Sequence, residues 1–120
     1  MDEVEESLGR IEVAPEVLTT IAHEATKSIE GIAAMSPVPN DVARLFRRSS
    51  RQANGITLDI QDGSLTFDIY ILVDPQVNVV ETSRQLQTAV IEAIDKMVGI
   101  EVTAVNVHVE DVLYDSNETV

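Results

Sequence analysis

Ile56-Thr57-Leu58-Asp59-Ile60-Gln61-Asp62-Gly63-Ser64-Leu65-Thr66-Phe67-Asp68-Ile69-Tyr70-Ile71-Leu72-Val73 decides the fold. Ile56, Leu58 and Ile60 alternate with Thr57, Asp59 and Gln61, the two-residue period of a half-buried strand. Asp62-Gly63 follows, a pair suited to the two-residue turn whose central residues both need positive φ. The return strand then places Leu65, Phe67, Ile69, Ile71 and Val73 on one face. Thr66, Asp68, Tyr70 and Leu72 fall on the other.

Downstream, Asp74-Pro75 ends this strand. Asn78 with Glu81 three residues on has the spacing of a capping box and starts a long helix. Ser83, Leu86, Val90, Ile94 and Met97 form its apolar stripe, and Gly99 ends it. A last strand runs from Glu101 to Val109. Val105, Val107 and Val109 share one side; Ala104, Asn106 and His108 share the other.

Upstream, Gly9 to Val13 reads as a short strand. Pro15, with its fixed φ, suits the first position of a helix. Leu18, Ile21, Ala22, Ala25 and Ile29 recur at helical spacing. Glu16 in the first turn and Lys27 near the end match the helix macrodipole. Gly31 stops this helix, and Ile32 to Met35 form a brief strand. Ser36-Pro37-Val38-Pro39 breaks the chain. Asn40 or Asp41 then caps a short helix predicted to reach about Gln52. Residues 1–8, rich in acids, read as a flexible tail, residues 9–112 as one domain, and residues 113–120 as a second, polar tail.

Two long helices with one apolar stripe each must cover one sheet. The expected architecture is α/β in the α+β sense: a two-layer sandwich with a small mixed sheet covered on one face by two long helices, plus a short helix in the middle. The second sheet face either meets water or meets a partner.

Composition narrows the function. The chain has 120 residues, room for one domain. It has no Cys and only two His, His23 and His108, which leaves no thiolate or imidazole cluster for a metal. Lys plus Arg total 8 against 21 Asp plus Glu, a net charge of −13. That field repels phosphate, so no nucleic acid and no anionic lipid surface is expected as a nonspecific partner. No apolar run approaches the ~20 residues that span a bilayer, so direct membrane insertion is not expected. The acidic N-terminal stretch is unlike a signal or transit peptide, and the expected location is cytoplasmic.

No catalytic constellation emerges. His23 reads as a partly exposed helix histidine and His108 as a surface or interface histidine on a strand. Asp59, Asp62 and Asp68 near the hairpin are acids that could gather a divalent cation. They lack the spacing of a calcium loop and read instead as a solvated hairpin. The five Gly are dispersed and make no phosphate loop. No cofactor and no enzymatic activity are expected. A nucleic-acid-binding module is the alternative, because small α/β sandwiches often bind RNA. Only Tyr70 offers a stacking surface on the polar face, and no Gly-x-x-Gly loop is present.

Two surfaces stand out. Arg44, Arg47, Arg48 and Arg51 are spaced i, i+3, i+4, i+7, one face of a helix if the segment is helical. Such a face either neutralises the chain's own acids or docks an acidic partner or lipid headgroup, since guanidinium forks suit carboxylates and phosphates. Tyr70, Leu72, Asn106 and His108 lie on the second sheet face. They are the expected neighbourhood of a self-association contact at that face or at a sheet edge.

The ordered set of segments resembles the bacterial alkaline-shock (envelope stress response) family. The resemblance is carried by Gly9-Arg10-Ile11-Glu12-Val13-Ala14-Pro15-Glu16-Val17, by Ile29-Glu30-Gly31-Ile32-Ala33-Ala34-Met35-Ser36 and by Gly55-Ile56-Thr57-Leu58. It continues through Leu65 to Val73, Met97-Val98-Gly99-Ile100-Glu101-Val102 and Val105-Asn106-Val107-His108-Val109. It implies a non-catalytic protein of cell-envelope homeostasis acting by protein-protein interaction and self-assembly. It also implies homo-oligomers, and recruitment to the inner face of the cell membrane by a membrane-anchoring partner. The segment Pro37 to Asn54 departs from the family pattern in being longer and richer in arginine.

Overall fold

The hairpin forms as its sequence dictates. In the computed structural model, which describes residues 4–6, 8–39, 41, 50–53 and 55–114, Asp62 has φ 47° and Gly63 φ 79°. These join Ile56–Gln61 to Ser64–Val73. In chain order the strands are β1 (Val4–Glu6), β2 (Gly9–Ile11), β3 (Ile32–Met35), β4 (Ser50–Ala53), β5 (Ile56–Gln61), β6 (Ser64–Val73) and β7 (Ala104–Val112). The two long helices among the described residues are α1 (Pro15–Lys27) and α2 (Val79–Val98).

β6 is the spine of a five-stranded mixed sheet. Along one edge it pairs antiparallel with β5 over its first half and with β3 over its last residues; β5 in turn pairs with β4. Along the other edge it pairs parallel with β7, the connection being α2. A register shift between Ile71 and Leu72 leaves Glu110 as the extra residue of a bulge in β7.

Both helices lie on one sheet face, as the stripes require. Leu18, Ile21 and Ala22 of α1 and Leu86, Val90 and Ile94 of α2 share one core with Ile56, Leu58, Phe67, Ile69, Ile71 and Val105. α1 packs over the β3–β5 side and α2 over β7. Asn78 caps α2, its side-chain oxygen accepting the Glu81 N–H at 3.0 Å. At the other end the Gly99 N–H donates to the carbonyls of Ile94 and Asp95.

Three expectations are corrected. The α2 stripe runs Thr82, Leu86, Val90, Ile94 and then Val98, while Met97 is 69% exposed. The contact follows the i, i+4 ridge, which is inclined to the helix axis, so at the last turn it has moved onto Val98. Secondly, Val4–Glu6 are a strand within the stretch expected to be a tail. They pair antiparallel with β2, and this two-stranded ribbon is separate from the main sheet. Thirdly, the middle helix does not extend to Gln52. Ser50–Ala53 is strand β4, held in register by β5, because pairing supplies backbone hydrogen bonds that a helix end there would lack. Residues 42–49, the body of that predicted helix, lie outside the described residues.

Candidate functional site

The candidate site is the sheet face turned away from α1 and α2. On β6 and β7 it carries Thr66, Asp68, Tyr70, Leu72, Ala104, Asn106 and His108, the residues that alternate with the core positions. Thr57 and Asp59 of β5 extend it, Thr57 lying opposite Asp68 and Asp59 opposite Thr66.

Its centre is a three-residue cluster. The parallel register sets Asp68 beside Asn106 and Tyr70 beside His108. His108 Nε2 donates to Asp68 Oδ1 at 2.8 Å. The imidazole also stacks on the Tyr70 ring, with centroids 4.3 Å apart and planes at 13°. Tyr70 itself is only 3% exposed. Burial, and then the neighbouring Asp68 and Glu110 carboxylates, hold its phenol above the ordinary value and so keep it neutral. Asp68 and Tyr70 thus fix the imidazole from two sides, and part of His108 remains open to solvent beside exposed Asn106 and partly exposed Leu72.

The four residues expected near a self-association contact therefore do share this face, with Tyr70 beneath the surface as the support for His108. Sequence reasoning missed the Asp68–His108 pair. The two are forty positions apart, and only the parallel β6–β7 register brings them together. Asp59, Asp62 and Asp68 do not converge: Asp62 sits in the turn, while Asp68 is engaged by His108. Among the described residues no three acids or histidines come together to hold a metal ion. His23 lies on α1 with Nδ1 3.8 Å from the Glu24 carboxylate.

The expected arginine face is not assembled as a single helix surface. Arg51 stands in β4, and Arg44, Arg47 and Arg48 lie outside the described residues.

Toward β5 the face turns dry. Thr57 is fully buried, and its Oγ1, like Asp59 Oδ1, is a buried polar atom without a hydrogen-bond partner. An unmatched buried hydroxyl costs ~1–3 kcal/mol, and an apolar replacement of the same shape removes that cost. Thr57→Val should therefore stabilise the protein by ~1 kcal/mol in urea melts. A loss of stability in that variant would show that the hydroxyl has a partner.

Comparison with known proteins places the chain in a family. Residues 3–114 match the model of the alkaline-shock protein family, described as having a cell envelope-related function. Spy1535 of Streptococcus pyogenes serotype M6 is 33% identical over 109 residues, covering 90% of this chain and 82% of that protein. YqhY of Bacillus subtilis (strain 168) is 26% identical over 117 residues, covering 97% of this chain and 86% of that protein. Among solved structures, a MamM-CTD variant aligns at a TM-score of 0.47 and 17% identity, covering 82% of this chain and 98% of that one.

Proposed function

Because the chain belongs to the alkaline-shock protein family, of cell envelope-related function, we propose that it serves the envelope stress response as a non-catalytic protein that works by binding other proteins and copies of itself. The observation that carries this reading is the second sheet face. It presents Leu72, Asn106 and a His108 locked by Asp68 and Tyr70, and among the described elements neither helix covers it. A rigid, half-apolar and half-polar surface of this kind suits a protein contact.

Its place in the cell follows from the same reading. The protein acts in the cytoplasm and reaches the inner face of the membrane through a membrane-anchoring partner. No helix among the described residues is long and apolar enough to cross a membrane. Crosslinking with mass spectrometry from native cells tests this. Recurrent crosslinks to another envelope protein and between copies are expected; a chain that crosslinks to nothing would end the proposal.

Arg44, Arg47, Arg48 and Arg51 supply half of the chain's 8 Lys and Arg and are proposed as a second contact, for an acidic partner surface. A variant with all four changed to Gln should bind that partner at least ten-fold more weakly at low salt. The wild-type interaction should fade as salt screens it. Unchanged affinity in the variant would remove the arginines from the interface.

A further inference from the structure

The ribbon of β1 and β2 lacks what normally holds such a ribbon together. Two strands alone are marginally stable in water and need a third strand or a packed helix. Here Leu8 is 98% exposed and Ile11 71% exposed, and the core begins only with Val13. β2 pairs with β1 on one edge, and its other edge is unpaired among the described strands.

The same chain carries a matching edge. β7 pairs with β6 on one side only. Along its free side the Val105 carbonyl accepts Gln87 Nε2 at 3.0 Å, and no described strand continues the ladder. A long unprotected edge is a template for a further strand. The ribbon does not pair with the β7 of its own chain. The ribbon is tied by three residues to α1, which packs over β3, β4 and β5, whereas β7 lies under α2.

We propose that the ribbon is an arm that docks on β7 of a second copy, with β2 becoming the strand beyond β7. The proposal rests on the self-association reading above and names its contact. Alternation fits it. With Ile11 on the helix side, it continues the row of partly buried Val107 and Val109. Arg10, which is ion-paired with Glu12 within its own chain, then falls on the opposite side, alongside Asn106, His108 and the exposed Glu110. The arm and the edge are different surfaces of one chain, so every copy offers one of each, and the contact either closes as a reciprocal exchange of arms between two copies or continues head-to-tail.

The absence of Cys in the sequence makes the test clean. Single-cysteine variants Arg10→Cys and Asn106→Cys, mixed and mildly oxidised, should give a disulfide-linked heterodimer well above the yield from Arg10→Cys mixed with Asp62→Cys. Equal yields would overturn the arm. In sedimentation velocity at micromolar concentration, Leu8→Glu/Ile11→Glu should run as a monomer where the wild type assembles, with an unchanged circular dichroism spectrum. If that variant assembles as the wild type does, the arm is not the contact, while self-association stands. If the wild type is itself monomeric at every concentration, self-association falls and the arm with it.

Discussion

Ile69→Ala should destabilise the protein by ~2–5 kcal/mol, the range for deleting a fully buried aliphatic side chain from a packed core. Ile69 is fully buried in the middle of β6, with Ile56 beside it on β5 and Val107 beside it on β7. It shares the core with Leu18 of α1 and Leu86 of α2. Truncation at the junction of three strands and two helices leaves a cavity whose walls are held from every side. Urea unfolding measures the effect as a lower midpoint at constant slope. A change within ~0.5 kcal/mol, the range of surface sites, would mean that the helices do not cover this face.

Gly55→Ala should be comparably severe for a different reason. Gly55 has φ +85°, a conformation in which a side chain is strained by ~1–3 kcal/mol. It stands where β6 changes partner. The Tyr70 N–H donates to the Gly55 carbonyl at 2.8 Å, and the Tyr70 carbonyl accepts the Ser36 N–H at 2.8 Å. A methyl group at Gly55 would run into the Ser36 carbonyl oxygen and come within 3.2 Å of the Tyr70 carbonyl oxygen. These are backbone atoms of the ladder and cannot swing aside. Gly63→Ala is the control: φ there is +79°, but a Cβ would meet nothing within 4 Å. The difference between the two variants in thermal or urea unfolding isolates the collision from the strain. Equal losses would mean that the end-to-end meeting of β3 and β5 is not tight.

What the sequence discloses is what a local period or a capping residue records. The β5–β6 hairpin, the start of α1 at Pro15 and the Asn78 cap of α2 all rest on contacts between residues close in the chain. The segment from Ser50 to Ala53 carries no alternating apolar pattern. The arginine spacing before it favours a helix reading, and only pairing with β5 makes it a strand. β1 is hidden because three residues are too few to show a period, whereas the strand read over Gly9 to Val13 is β2, which stops at Ile11. The cluster on the second sheet face is half legible. Parity alone groups Tyr70 with Leu72, and Asn106 with His108. Which residue of β6 meets which residue of β7 depends on a parallel register set by the length and docking of α2, and no local signal encodes that.

The two edges of β6 are completed at different times. As the chain leaves the ribosome, β3 and β5, the partners along one edge, emerge before or beside β6 itself. β7 follows only after the whole of α2 has been made. Until then one side of the central strand is an open ladder next to core residues that α2 and β7 do not yet cover. Parallel pairings across a long connection are also slow to form. A nascent chain that has just finished α2 is consequently the species most apt to be captured by a neighbouring nascent chain's strand, or held by a chaperone, before it closes on its own.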